Sequence, residues 1–136
     1  MSITYLTRRA TFSASHRLHS VNLSKEKNIE LFGKCNNPNG HGHNYILKVT
    51  VKGTIDEKTG MVMNLSDLKK MVEENVVSKL DHKNLNLDVP EFKDLNPTAE
   101  NIAIVIWNLL KPKLKNSLYE IKLVESENNS VVYRGE

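Results

Sequence analysis

Histidines are the residues of this chain whose spacing most directly indicates chemistry. His41 and His43 form an H-x-H at the start of a predicted strand, where side chains two residues apart point to one face. Two imidazoles on one face can bind zinc, which prefers four ligands. His16 ends the preceding predicted strand and is the candidate third ligand, with His19 as its competitor. Three histidines would leave one position open, as in catalytic zinc sites; the alternative is a chance pair of exposed histidines in a polar turn.

Cys35 is the only cysteine and lies six residues before His41, in the segment GKCNNPNGHGHNY. A lone cysteine is most often a small buried hydrophobe, but the Asn, Gly and Lys34 around this one are atypical of a core. A nearby metal ion or cation would lower the pKa of the thiol and raise its thiolate fraction. Cys35 is therefore a candidate base or nucleophile.

Asp81-His82 and two glutamates complete the set of candidates. A carboxylate can orient an imidazole and stabilise its protonated form, although adjacent residues need a turn to meet. The alternative is a helix end that carries a favourable cation. A carboxylate facing a pocket can accept two N–H bonds from an aminopyrimidinone ring, and Glu125 and Glu100 are the candidates for it. Their alternatives are a solvated strand residue and a helix N-terminal charge.

Strands and helices must position these residues. Residues 4–16 and 43–53 have the composition and alternation of strands, and 17–42 form a long polar connection, which is functional or has short structure of its own. Apolar residues at helical spacing predict two helices, and two further segments predict a closing hairpin. The first predicted helix follows an Asn64 or Ser66 cap and carries Leu65, Leu68, Met71, Val72, Val76 and Leu80. The second follows a Thr98 cap, carries Ile102, Val105, Ile106, Leu109 and Leu110, and should end or kink at Pro112. The predicted hairpin strands are LYEIKLVES and SVVYRG.

This order predicts one α+β domain over residues 1–136, with two helices on one face of a four-stranded, mostly antiparallel sheet. Such a sheet has two open edges, which favour pairing with further copies of the chain. No repeats or low-complexity segments interrupt it.

Composition and charge narrow the function classes. The chain is 39% hydrophobic and 26% charged, and no apolar run approaches the roughly 20 residues of a membrane span. The net charge of +3 comes from scattered Lys and Arg, without the basic stripe of a nucleic-acid-binding protein. A small anionic substrate is at least as compatible with this charge. One cysteine, and an N-terminus that lacks the apolar stretch of a signal peptide, predict a cytoplasmic protein.

Six segments together resemble a known family. FSASHRLHS, LFGKCNNPNGHGHNY, TGMVMNL, LDHKNL, ENIA and ESENN resemble the 6-pyruvoyl-tetrahydropterin synthases of the animal type, from about residue 5 to the C-terminus. The related 6-carboxy-tetrahydropterin synthases place the cysteine closer to the H-x-H, and a third branch has glutamate instead. The five residues between Cys35 and His41 favour the animal type. The carboxy-tetrahydropterin branch and a zinc- and pterin-binding protein without turnover are the alternatives.

The resemblance implies conversion of 7,8-dihydroneopterin triphosphate to 6-pyruvoyl-tetrahydropterin and triphosphate, a step toward tetrahydrobiopterin. It also implies one zinc per subunit and assigns roles residue by residue. The zinc ligands are His16, His41 and His43; the catalytic thiol is Cys35; the proton-relay pair is Asp81 and His82; the pterin anchor is Glu125, with Glu100 and Thr98 near the ring.

The implied assembly is the tunnelling fold. Sheets of three subunits join into a barrel, and two trimers stack as a homohexamer with active sites between subunits. The family also binds magnesium, at a site that this sequence does not place. No external redox cofactor is needed, which agrees with the lack of a dinucleotide fingerprint.

Overall fold

The computed structural model describes residues 2–136. One sheet carries helices on one face, and this confirms the predicted α+β class. The strands are β1 (Ile3–His16), β2 (His41–Thr54), β3 (Lys83–Asn84), β4 (Leu118–Ser126) and β5 (Asn129–Tyr133). The α-helices are α1 (Lys25–Phe32), α2 (Leu65–Val72), α3 (Ser78–Leu80), α4 (Leu85–Asp88) and α5 (Ala99–Leu114). A π-helical segment, Glu73–Val77, joins α2 to α3, and 3-10 turns lie at Gly33–Asn36, Pro90–Phe92 and Lys115–Ser117.

The sheet has five strands in the order β3-β1-β2-β4-β5, so the prediction of four strands was one strand short. The pairs that the four long strands form with one another are all antiparallel, as predicted. The additional strand, β3, pairs in parallel with Ala14 and Ser15 only. Two residues are too few to produce the alternation that identifies a strand from sequence.

Alternation along the strands builds the core. On the helix-facing side of the sheet, β1 buries Ala10, Phe12 and Ala14, and β2 buries every second residue from Tyr45 to Val51. The same two-residue period continues toward the start of β2 and the end of β1, so it puts the three candidate histidines on this inner face. The register places His16 directly opposite His41. The apolar pattern of the core therefore also positions the histidine cluster.

The predicted helices begin where their caps were expected. The Asn64 side chain accepts a hydrogen bond from the Ser66 N–H at the start of α2. The Thr98 hydroxyl accepts from the Asn101 N–H at the start of α5. α5 continues past Pro112 to Leu114, two residues beyond the predicted end or kink.

The connection 17–42 has helical structure of its own. α1 and the turn Gly33–Asn36 lie within it, and Ser24 caps α1 by accepting from the Lys27 N–H. Ile29 and Leu31 of α1 are exposed, so the helix has no buried apolar stripe for its sequence to show. Within residues 2–136, no helix combines the length and the hydropathy needed to cross a membrane.

Candidate active site

The inner face of the sheet ends in a cluster of three histidines. One ring nitrogen from each of His16, His41 and His43 lies within 4.8 Å of the others. The Nε2 atoms of His41 and His43 are 3.0 Å apart. Zinc–nitrogen bonds of about 2.0–2.1 Å in tetrahedral geometry place ligand nitrogens roughly 3.3 Å apart. The cluster is therefore close to the spacing that a bound metal ion requires.

His16 is held in the tautomer that a metal ligand needs. Its Nδ1 lies 2.7 Å from the carbonyl oxygen of Pro97, and a carbonyl only accepts, so Nδ1 carries the proton. Nε2 then has a free lone pair, and it is buried without a partner among the described residues. Metal-bound histidines typically donate their second N–H to such a carbonyl. The unpartnered Nε2 is the atom that would bind a metal ion.

Burial also favours the neutral imidazoles that bind metals. Burial is the main cause that lowers the pKa of His16, which is fully buried. Burial, and then the nearby His43, lowers the pKa of His41. Neutral histidines bind a metal ion without first losing a proton. Tautomer, spacing and protonation state together fit a metal ion.

The backbone before His41 leaves no room for a side chain. Gly40 has φ of +75°, and a Cβ there would lie 2.8 Å from the carbonyl oxygen of His16. This close approach brings the start of β2 against the end of β1. The glycine is thus required for the position of two histidines at once.

Gly40→Ala is expected to lower both stability and the affinity of the histidine cluster for a metal ion, and Gly60→Ala provides the control. Gly60 has φ of +73° with nothing within 4 Å of its Cβ position, so its substitution costs only the left-handed backbone strain, about 1–2 kcal/mol. Gly40→Ala adds the contact with His16. Thermal unfolding and zinc titration of both variants measure the difference; equal melting temperatures and equal zinc affinities would contradict the packing role.

Cys35 lies in a turn that is tied to β1. Its carbonyl accepts a hydrogen bond from the Leu18 N–H at 2.8 Å. The Asn36 side chain donates to the Leu18 carbonyl at 2.7 Å and to Nδ1 of His19 at 3.0 Å. These bonds fix the Cys35 turn to Leu18, which lies two residues after His16, the last residue of β1. They also occupy His19, which is not part of the histidine cluster.

Glu125 is the carboxylate candidate whose charge acts on the histidines and on Cys35. Burial, and then the Glu125 charge, raises the pKa of the half-buried Cys35 thiol. The same carboxylate acts on His16 and His41, where it opposes the effect of burial. Glu125 therefore lies near both the histidine cluster and Cys35, as a residue that orients a ligand at this site would have to.

Asp81 and His82 form a hydrogen-bonded pair although they are adjacent. His82 has φ of +62°, and this turn brings its Nδ1 to 2.9 Å from Oδ2 of Asp81. Oδ1 of Asp81 accepts from the Ser13 N–H at 2.8 Å. The Ser13 N–H, and next the His82 side chain, holds the pKa of Asp81 below its ordinary value despite partial burial. A left-handed non-glycine residue costs free energy and is typical of functional positions.

The Asp81-His82 pair lies at the edge of β1, outside the histidine cluster. It lines an open groove with Arg9, Thr11 and Ser13, which are the outward-facing residues of β1 and alternate with the buried ones. The His82 imidazole is 84% exposed. Within one chain, the pair is therefore exposed at the edge of β1, where Ser13 bonds to both of its residues, and it is separate from the buried histidine cluster.

Thr98 and Glu100 are connected to the histidine cluster only through Pro97, which precedes them in the sequence. Pro97, whose carbonyl holds His16, precedes Thr98. The Thr98 hydroxyl serves as the cap of α5, and Glu100 is an exposed residue of its first turn. Both residues therefore stabilise the start of α5: Thr98 caps the helix, and the negative charge of Glu100 is favourable in its first turn.

Sequence reasoning missed three residues that hold or adjoin the candidate site residues. The Pro97 carbonyl holds His16 across 81 residues, and no local pattern could indicate that bond. Asn36 follows Cys35 directly but had no distinguishing signal in an Asn-rich loop. Tyr45 follows His43 by two residues and is fully buried on the same face. Continuing the H-x-H period by one step would have found it.

Comparisons with known proteins identify the family. Residues 5–136 match the family described as 6-pyruvoyl tetrahydropterin synthase. The chain is 60% identical to the human 6-pyruvoyl tetrahydrobiopterin synthase over 96% of this chain and 91% of that protein, and 56% identical to the Dictyostelium discoideum protein of that name, over 96% of each. The solved structure of Caenorhabditis elegans 6-pyruvoyl tetrahydropterin synthase superposes with a TM-score of 0.95 at 45% identity, covering 100% of this chain and 98% of that one. The chain therefore belongs to the 6-pyruvoyl tetrahydropterin synthase family.

Proposed function

We propose that this protein is a zinc-dependent lyase that converts 7,8-dihydroneopterin triphosphate to 6-pyruvoyl-tetrahydropterin and triphosphate. The observation that carries the proposal is the histidine cluster with its unpartnered Nε2, beside Cys35 and Glu125. Relatives that are named for this activity and are up to 60% identical support the same conclusion.

His16, His41 and His43 would hold the zinc ion. When bound, zinc supplies a Lewis acid for the substrate's side-chain hydroxyls and a positive charge that favours the Cys35 thiolate. Without a cation the raised pKa of Cys35 keeps the thiol protonated at neutral pH.

The chain's own residues then have distinct tasks. The Cys35 thiolate takes a proton from a side-chain carbon of the substrate. The Glu125 carboxylate accepts two N–H bonds from the aminopyrimidinone ring, which orients that carbon toward Cys35. His82, oriented by Asp81, exchanges protons with the substrate's side-chain oxygens. The lowered pKa of Asp81 keeps its carboxylate ionised and able to stabilise a protonated His82.

Release products distinguish this reaction from the carboxy-tetrahydropterin branch. Both reactions liberate triphosphate, but only the carboxy-tetrahydropterin reaction also releases acetaldehyde. We expect zinc-loaded protein to release triphosphate with no stoichiometric acetaldehyde. Acetaldehyde in amounts equal to triphosphate would reject the proposed activity in favour of the alternative branch.

We also propose that the active site is shared between subunits of a homohexamer made of two trimers. β3 covers only two residues of β1, so within residues 2–136 of one chain most of the β1 edge and the whole outer edge of β5 are without a strand partner. Such edges favour pairing between copies. The exposed position of Asp81-His82 at the open edge of β1, outside the histidine cluster, supports a site completed by a neighbour.

Mixing two inactive variants tests the shared site. Cys35→Ala and His82→Ala proteins, unfolded and reassembled together in equal amounts, are expected to recover about a quarter of wild-type activity, because each interface combines two randomly chosen subunits. Each variant reassembled alone is the control. Mixed hexamers verified by native mass spectrometry that have no activity would place all these residues in one subunit's site.

A further inference from the structure

Three positive charges lie side by side on the face of the sheet opposite the helices. Arg9 of β1 pairs with Lys48 of β2, and Lys48 pairs with Lys122 of β4, so the three residues are direct neighbours across three strands. The strand residues next to Lys48 and Lys122 are buried in the core, and alternation therefore turns these lysines to the other face. Neighbouring strands are about 4.8 Å apart, so the row is about 10 Å long. We call these three residues the cation row.

Within residues 2–136, no negative charge compensates the cation row. None of its side chains forms an ion pair, and Glu120, two residues before Lys122 on the same face, is bonded to Arg134. Like charges directly opposite each other on adjacent strands are destabilising. The adjoining rows on this face contain no cation: they are Thr7, Thr50 and Glu120 on one side, and Thr11, Ile46 and Val124 on the other. Folding therefore brings together three like charges at a cost that the sheet itself does not repay.

Ions in solution can reach the cation row. Arg9 is exposed, and neither Lys48 nor Lys122 has an Nζ atom buried without a partner in the described chain. Arg9 also lines the open groove that contains Ser13 and His82. Ser13 is four residues from Arg9 on the same face of β1, a distance of about 13 Å. The row is thus at the far end of a groove that begins at the proposed proton-relay pair.

We propose that the cation row is a binding site for a polyphosphate chain. Phosphate oxygens accept charge-assisted hydrogen bonds from guanidinium and ammonium groups. A chain with negative charges along its length can neutralise all three cations, whereas a single carboxylate cannot. The proposed reaction offers two sources of this chemistry, the triphosphate of the substrate and the triphosphate that is released. Only this link to the reaction rests on the proposed function; binding of the anion does not.

Lys48→Gln in the zinc-loaded, full-length protein tests the proposal, with Lys52→Gln as the matched control. Both changes remove one positive charge from the same strand and face. Lys52 is four residues from Lys48, about 13 Å, which exceeds the Debye length at physiological salt, and its Nζ lies 5.8 Å from the Tyr5 ring centroid. Inorganic triphosphate is the probe, measured by calorimetry, with zinc content determined before and after titration. Lys48→Gln is expected to bind it about tenfold more weakly than wild type, and Lys52→Gln to stay within about twofold.

Melting temperatures give a second, independent readout. Because Lys48→Gln relieves repulsion, the unliganded variant should be at least as stable as wild type, and triphosphate should raise the melting temperature of wild type more than that of the variant. A lower melting temperature of unliganded Lys48→Gln would show that the row is already paired, as with carboxylates of a second copy, and would overturn the proposal. Equal triphosphate affinity in wild type and Lys48→Gln would overturn it as well.

Kinetics distinguish the two sources of triphosphate. If the substrate's triphosphate occupies the row, Lys48→Gln raises KM about tenfold, while the affinity for neopterin, which lacks the triphosphate, stays at the wild-type value. If the released triphosphate occupies it, KM is unchanged and inhibition by added triphosphate is weaker in the variant. Either result supports the site. A wild-type protein that binds triphosphate through the cation row but does not turn over substrate would reject the proposed function and leave this proposal standing.

Discussion

Replacing Cys35 with alanine is expected to lower kcat by about 10³-fold or more, while zinc content and melting temperature stay near wild type. A positioned general base contributes roughly 10²–10⁴-fold to a rate, and the thiol is the one cysteine of the chain, in a turn fixed to β1. The side chain is only half-buried, so its removal leaves no large cavity. Steady-state kinetics and metal analysis of the same preparation measure both quantities.

Cys35→Ser is the matched variant for this prediction. Serine keeps the size and the hydrogen-bonding capacity of the side chain, but its hydroxyl is a far weaker acid than a thiol. We expect Cys35→Ser to be nearly as inactive as Cys35→Ala. Activity within tenfold of wild type in either variant would remove Cys35 from the role of base.

Replacing His16 with alanine is expected to abolish both tight zinc binding and turnover. The change removes the buried Nε2 and the hydrogen bond to Pro97, which anchors the start of α5 against the end of β1. Two remaining imidazoles do not make a tight zinc site. Because His16 is fully buried, its loss also lowers stability, and His41→Ala, at a less buried position, is the second variant if His16→Ala does not fold.

His82→Ala is the control for the metal prediction. His82 is 84% exposed and lies outside the cluster, so this variant should keep one zinc per chain while losing activity. The two histidine variants then separate metal binding from proton transfer. A His16→Ala protein that folds and retains one tightly bound zinc per chain would contradict the assignment of the cluster.

The long elements and the core of the site could be predicted from the sequence because they depend on local periodicity. A two-residue period identifies β1 and β2 and also aligns His41 with His43. A helical period identifies α2 and α5 with their caps. These signals are contained in a few neighbouring residues, and packing of the sheet then reinforces them.

The features that escaped prediction depend on contacts distant in sequence or on very short segments. The bond from His16 to Pro97 joins residues 81 apart. α1 exposes Ile29 and Leu31 and is held instead by buried Asn28, whose side chain bonds to Ser20. Polar anchors of this kind give no hydrophobic period. The position of Asp81-His82 depends on its bonds to Ser13 at the edge of β1 and on the left-handed turn at His82, neither of which is visible in the residue order.

The most direct test is to incubate zinc-loaded protein with 7,8-dihydroneopterin triphosphate and to identify the pterin product by mass spectrometry, with Cys35→Ala in parallel. We predict 6-pyruvoyl-tetrahydropterin from the wild type and none from the variant, which should still contain zinc. A carboxy-pterin product, or binding of zinc and pterin without turnover by the wild type, would contradict the proposed activity.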